Sequence, residues 1–89
     1  MSSVRFIVRG KVQGVWFRAA TQQQALALQV HGYARNLPDG GVEVLAQGGD
    51  QSLAALEAWL WQGPPLADVS DVRREDDANT PALSGFTAQ

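Results

Sequence analysis

The residues best placed to do chemistry lie near the start of the chain, in the run Gly10-Lys11-Val12-Gln13-Gly14-Val15-Trp16-Phe17-Arg18. Two glycines punctuate a loop there, and from Phe17 to about Leu28 the sequence is rich in Ala, Gln and Leu, which favour helix. A loop that runs straight into a helix presents backbone N–H groups at the positive end of the helix dipole, where phosphate or carboxylate binds readily. Gly10 and Gly14 permit backbone angles and close approaches that a Cβ forbids. Arg18 falls in the first helical turn, the wrong end of the dipole for a cation. A bound anion would remove that conflict, with the guanidinium fork gripping two of its oxygens. The alternative is a solvated arginine beside an ordinary strand-to-helix turn.

Asn36 is the second candidate. It precedes Leu37-Pro38-Asp39-Gly40, and an asparagine there is either a turn former bonded to its own backbone or an amide that orients a water molecule. His31, the only histidine, stands near the end of the helix-forming stretch, where a cation at the negative terminus is its simplest role. It has no partner pattern for a triad or a metal site. Trp59 and Trp61 belong to a second helical stretch and are expected to border the core, while Trp16, inside the loop, is a candidate for the rim of a site. Glu75-Asp76-Asp77 reads as a solvated acidic run, so no metal ligands are assigned.

Charge is unevenly distributed. Residues 1–38 hold Arg5, Arg9, Lys11, Arg18 and Arg35 and no acid, whereas all nine acids fall between Asp39 and Asp77, giving a net charge of −2. A basic first segment in an acidic chain suggests a local anion site, not a broad nucleic-acid surface.

The elements that must position these residues follow from periodicity. Val4, Phe6 and Val8 alternate with Arg5 and Arg9 as in a half-buried strand over Val4–Gly10. The helix from Phe17 presents Phe17, Thr21, Gln24 or Ala25, and Leu28 on one face. Tyr33–Leu37 and Val42–Ala46 are strands joined by the turn Pro38-Asp39-Gly40-Gly41. Asp50 offers an N-cap for a helix carrying Leu53, Leu56, Glu57 and Leu60, which Gly63-Pro64-Pro65 ends. Ala67–Arg73 alternates weakly, placing Val69 and Val72 on opposite sides. Glu75–Ser84 reads as loop, and Gly85–Gln89 as a weakly held last edge strand. The order βαββαβ is that of a ferredoxin-like α+β sandwich, an antiparallel sheet with two helices on one face.

With 89 residues, 45% hydrophobic and 18% charged, the chain has room for one domain, residues 1–89, and one core. The absence of cysteine excludes disulfides and thiolate chemistry and fits a reducing compartment. Neither a signal peptide nor an apolar stretch near the roughly 20 residues needed to span a bilayer is present. The expectation is a cytoplasmic chain without membrane or nucleic-acid partners, for which a monomer suffices.

Gly10-Lys11-Val12-Gln13-Gly14-Val15-Trp16-Phe17-Arg18 resembles the first signature of the acylphosphatase family, and Gly32-Tyr33-Ala34-Arg35-Asn36 with Gly40, Val42 and Gly48 resembles the second. The resemblance implies hydrolysis of the carboxyl–phosphate bond of a small acyl phosphate without cofactor or metal. It also implies roles for residues. The amides of Lys11, Val12, Gln13, Gly14, Val15, Trp16, Phe17 and Arg18 would cradle the phosphate, Arg18 would pair with its oxygens, and Asn36 would hold the attacking water. One departure stands out: Gln29 occupies a helix-end position where similar proteins often carry glycine.

Two rival readings remain at this stage. One is an acylphosphatase-like domain serving a larger maturation enzyme, against which the lack of zinc-finger cysteines argues. The other is a ferredoxin-like RNA-binding module, which would need more exposed strand aromatics than Phe6, Tyr33 and Phe86, and a basic face.

Overall fold

The computed structural model describes residues 2–77 and 80–89. Seven elements follow one another: β1 (Ser2–Lys11), α1 (Phe17–Ala27), β2 (His31–Asn36), β3 (Val42–Gly48), α2 (Asp50–Gln62), β4 (Asp68–Asp76) and β5 (Phe86–Ala88). They build one five-stranded sheet of order β4-β1-β3-β2-β5. β1 runs antiparallel to β3 and β4, and β2 antiparallel to β3. β5 instead lies parallel to β2, so the expected antiparallel sheet gains a parallel edge and is mixed.

The hydrophobic alternation decides which face is covered. Val4, Phe6 and Val8 of β1 pair across the ladder with Ala46, Val44 and Val42 of β3, and all six are fully buried. Phe17, Thr21 and Ala25 of α1 and Leu53, Leu56 and Leu60 of α2 pack onto that face. Thr21 lies in the core without an orphaned hydroxyl, because its Oγ1 donates to the Phe17 carbonyl at 2.7 Å. Trp59 packs against the core with its ring centroid 5.9 Å from that of Phe17, whereas Trp61 is half exposed and not a core residue. The other face is partly covered by the segment before β5. There the Gln47 side chain donates to the Pro81 carbonyl at 2.8 Å and accepts from the Leu83 amide at 2.7 Å.

Several boundaries differ from the sequence expectation, each for a physical reason. β4 continues through Glu75 and Asp76, because an edge strand with one solvated side tolerates polar residues that read as loop. Val69 and Val72 share the core-facing side. The ladder with β1 shifts between Arg9 and Gly10, leaving Ser70 as the extra residue of a bulge that breaks the period of two. Gly10 is tied to that bulge: with φ of +121°, a Cβ there would lie 2.2 Å from the Asp68 carbonyl oxygen. Its close approach is therefore to β4 and not to a ligand.

The N-cap of α2 is Gly49, and Asp50 is the first helical residue, where its carboxylate accepts from Ser2 Oγ at 2.7 Å. His31 opens β2 rather than ending the helix, and its Nδ1 accepts a hydrogen bond from the Gly85 amide at 2.9 Å, so the ring anchors the approach to β5. Far from being weakly held, β5 is tied on both sides. Gln22 Nε2 donates to the Phe86 carbonyl at 2.8 Å, the Gly32 amide to the Gly85 carbonyl at 2.9 Å, and the Gln89 amide to the Ala34 carbonyl at 2.8 Å.

Candidate active site

Three chain segments meet at one end of the sheet. β1 ends there at Lys11, β2 at Asn36, and β5 at Ala88, while β3 begins there at Val42, opposite Asn36. The loop after β1 crosses this end and enters α1. Gly14 has φ of +74° and Trp16 φ of +65°, with Val15 between them outside the positive-φ region, an alternation of the kind that can form an anion-binding backbone nest. Trp16 is the N-cap of α1 in the left-handed region. No side chain caps the helix and no acidic residue occupies its first turn. Among the described residues, the amides from Val12 to Trp16 find no acceptor within the chain. Unmet donors at an uncapped helix start form a site for an anion.

A depression of about 390 Å³ opens at this point, lined by Val12, Gly14, Trp16, Phe17, Arg18, Ala19 and Ala88. Its volume lies within the range of small-molecule sites. Trp16 stands 79% exposed on the rim, as its place in the loop suggested. Val15 is buried and anchors the loop to the core, so among the expected phosphate-loop residues Lys11, Gln13 and Val15 do not line the depression.

Electrostatics single out Arg18. Arg5 pairs with Glu43 and Asp77, Arg9 with Asp39, and Arg35 with Glu43, so acids from later in the chain neutralise most of the basic first segment. Arg73 pairs with Glu75, and Arg74 with Glu57. Among the described residues only Lys11 and Arg18, at the two ends of the loop, have no Asp or Glu side chain as partner. Arg18 Nη1 donates to the Gln89 carbonyl, and the Gln89 amide in turn donates to Ala34 on β2. This chain of bonds holds the guanidinium toward the end of β2 that carries Asn36.

Asn36 has the strand parity of Gly32 and Ala34, both buried under the helices, so its side chain leaves β2 on the helix-bearing face. It is exposed and does not line the depression itself. The contribution of β5 through Ala88 and Gln89 was not legible in the sequence, since nothing local signals that a five-residue tail returns beside the first helix.

A larger cavity, about 650 Å³, lies at the opposite end of the sheet. Asp50, Asp76 and Asp77 outnumber its one cation, Arg74, so it would repel a phosphate.

With this geometry established, comparison with known proteins is decisive. The acylphosphatase family model matches residues 4–88. The chain belongs to the acylphosphatase family. An acylphosphatase of Xanthomonas euvesicatoria pv. vesicatoria is 60% identical over 74 residues, covering 83% of this chain and 84% of the relative. The crystal structure of acylphosphatase from Bacillus subtilis superposes with a TM-score of 0.96 at 31% identity, covering 100% of this chain and 99% of that one. The acylphosphatase of Coxiella burnetii gives 0.93 at 40% identity, covering 99% and 92%. Membership carries the activity: this acylphosphatase hydrolyses the carboxyl–phosphate bond of small acyl phosphates, on a ferredoxin-like α+β fold. Among the described residues no helix is long and apolar enough to cross a membrane.

Proposed function

We propose that the amides from Lys11 to Arg18 cradle the transferred phosphoryl group, that Arg18 pairs with its oxygens, and that Asn36 holds the attacking water in line with the leaving carboxylate. The observation that carries this reading is the start of α1, uncapped by any described side chain, with a first-turn arginine that has no Asp or Glu partner among the described residues. An anion is the one kind of ligand that relieves both conditions.

The chemistry suits so sparse a site. A carboxylate is a weak base and leaves without protonation, so catalysis reduces to positioning and to stabilising charge on the equatorial oxygens. Among the described residues no histidine, aspartate or glutamate lines the depression to act as a general base. The substrate's own phosphate oxygen takes the proton of the water as the P–O bond to the acyl group breaks. The products are then the carboxylate and inorganic phosphate. The 89 residues act as a single domain, as a monomer, in the cytoplasm, which the lack of cysteine supports.

Hydrolysis of benzoyl phosphate in the presence of a chelator tests this reading. We expect the wild type to turn over with chelator present, and Asn36→Ala to lose turnover by roughly 10²-fold while still binding inorganic phosphate. Wild-type turnover in Asn36→Ala would refute the water-positioning role, and strong inhibition by the chelator would refute metal-free catalysis.

A further inference from the structure

Within the loop between β1 and α1, the Gln13 side chain points not into the depression but to the β2–β3 turn. Gln13 Nε2 donates to two backbone carbonyls of the β2–β3 turn, Leu37 at 2.8 Å and Gly41 at 2.8 Å. A primary amide nitrogen carries two hydrogens, so both are used. Each carbonyl already accepts one turn bond: Gly41 O from the Leu37 amide at 2.8 Å, and Leu37 O from the Gly40 amide at 3.2 Å. Gln13 therefore completes the second acceptor position on each, and the neighbouring carbonyls fix which end of the amide faces them.

The two carbonyls bracket Asn36. Leu37 follows it directly, and Gly41 precedes Val42, its partner across the ladder. The tip of the same turn is also tied to β1, since Arg9 pairs with Asp39, whose carboxylate accepts from the Gly41 amide at 3.0 Å. Those contacts hold the turn to a strand. Gln13 alone, among the described residues, joins it by a side chain to the loop that starts α1.

We propose that Gln13 is a positioning residue: its side-chain amide sets the distance between the phosphate cradle and the water held by Asn36. The inference rests on the roles given above to the loop and to Asn36. It assigns Gln13 a function separate from any bond its main-chain amide makes to phosphate. Gln13 touches neither water nor phosphorus with its side chain and acts through Asn36.

A double-mutant cycle with benzoyl phosphate tests this. Gln13→Met keeps the length of the side chain and removes both donors, so the loop retains its packing. We expect its kcat to fall about 10- to 100-fold, the scale of an ångström-sized misplacement. The inhibition constant of inorganic phosphate should stay at the wild-type value. In Gln13→Met/Asn36→Ala, kcat should be no lower than in Asn36→Ala alone, because a positioner has nothing left to position. Additive losses, an unchanged kcat in Gln13→Met, or a weakening of phosphate in step with kcat would each overturn the proposal. The Asn36→Ala arm separates the two levels: if it keeps wild-type turnover, the water-holding role fails first and this inference with it. Thermal melts of all variants verify that the comparison is among folded proteins.

Discussion

The two ends of α1 share one backbone oddity, a non-glycine residue with positive φ, and resolve it in opposite ways. At the C-terminal end Gln29 has φ of +59°. The carbonyls there are closed off: the Val30 amide donates to Ala25 O at 2.8 Å, and the Gln29 amide to Leu26 O at 3.2 Å. That is the Schellman pattern, in which glycine is the favoured residue because a left-handed Cβ is strained by about 1–2 kcal/mol. At the N-terminal end Trp16 carries the same left-handed geometry, yet little is closed. Among the described residues no side chain caps the helix, its first turn holds a cation, and an indole stands in solvent. One end is strained but satisfied within the chain; the other is strained and left open. The difference separates an accident of side-chain choice from a place where the proposed phosphate site would use the strain.

The largest expected effect tests the open end. Arg18→Ala removes charge from both bound substrate and transition state, so kcat/KM for benzoyl phosphate should fall on the order of 10³-fold, with KM rising as well as kcat falling. Folding should be little affected, since the guanidinium's described partner is a single carbonyl, that of Gln89. A variant that kept wild-type kcat/KM would mean that the Arg18 cation at the loop is surface charge, and the contrast between the helix ends would lose its meaning.

A second effect follows from mass action. Inorganic phosphate should raise the melting temperature of the wild type, because a ligand bound only to the folded state stabilises it by about 2.7 kcal/mol at 100 times its dissociation constant. Arg18→Ala should show a much smaller rise at the same concentration. Equal rises in the two proteins would place phosphate binding away from α1.

The elements that carry the candidate site were legible where their signals are local. A glycine-punctuated loop leading to a helix, an arginine in its first turn and an asparagine before a turn are all neighbours along the chain, and each kept its expected place. The core was legible for the same reason, since Val4, Phe6 and Val8 alternate in an unbroken strand. What was hidden depends on pairing across long separations. The bulge at Ser70 could not be read because it exists only relative to β1. The parallel seating of β5 depends on bonds to β2, α1 and His31 that no local pattern encodes. Gln13 was legible as a member of the loop, but the direction of its side chain was not, because its partners lie 24 and 28 residues away. Gln29 stands where similar proteins often carry glycine, and its positive φ gives the physical reason.

The smallest effects sharpen the comparison most directly, because one substitution can be made at both ends. Glycine at position 29 or 16 relieves a left-handed Cβ, offset in part by the extra freedom of the unfolded chain, for a net gain of about 1 kcal/mol or less. In a domain of this size that corresponds to a rise in melting temperature of up to roughly 4–8 °C. Gln29→Gly should show that rise with kcat/KM unchanged, since Gln29 is remote from the depression and its hydrogen bonds run through the backbone. Trp16→Gly should gain comparable stability but lose kcat/KM, because it removes the ring from the rim and loosens the loop whose amides are proposed to hold the phosphate. Melting curves and steady-state kinetics on the two variants are sufficient. If both gain stability and neither loses activity, the strain at Trp16 is as incidental as that at Gln29, and the open end of α1 owes its function to Arg18 and the loop amides alone.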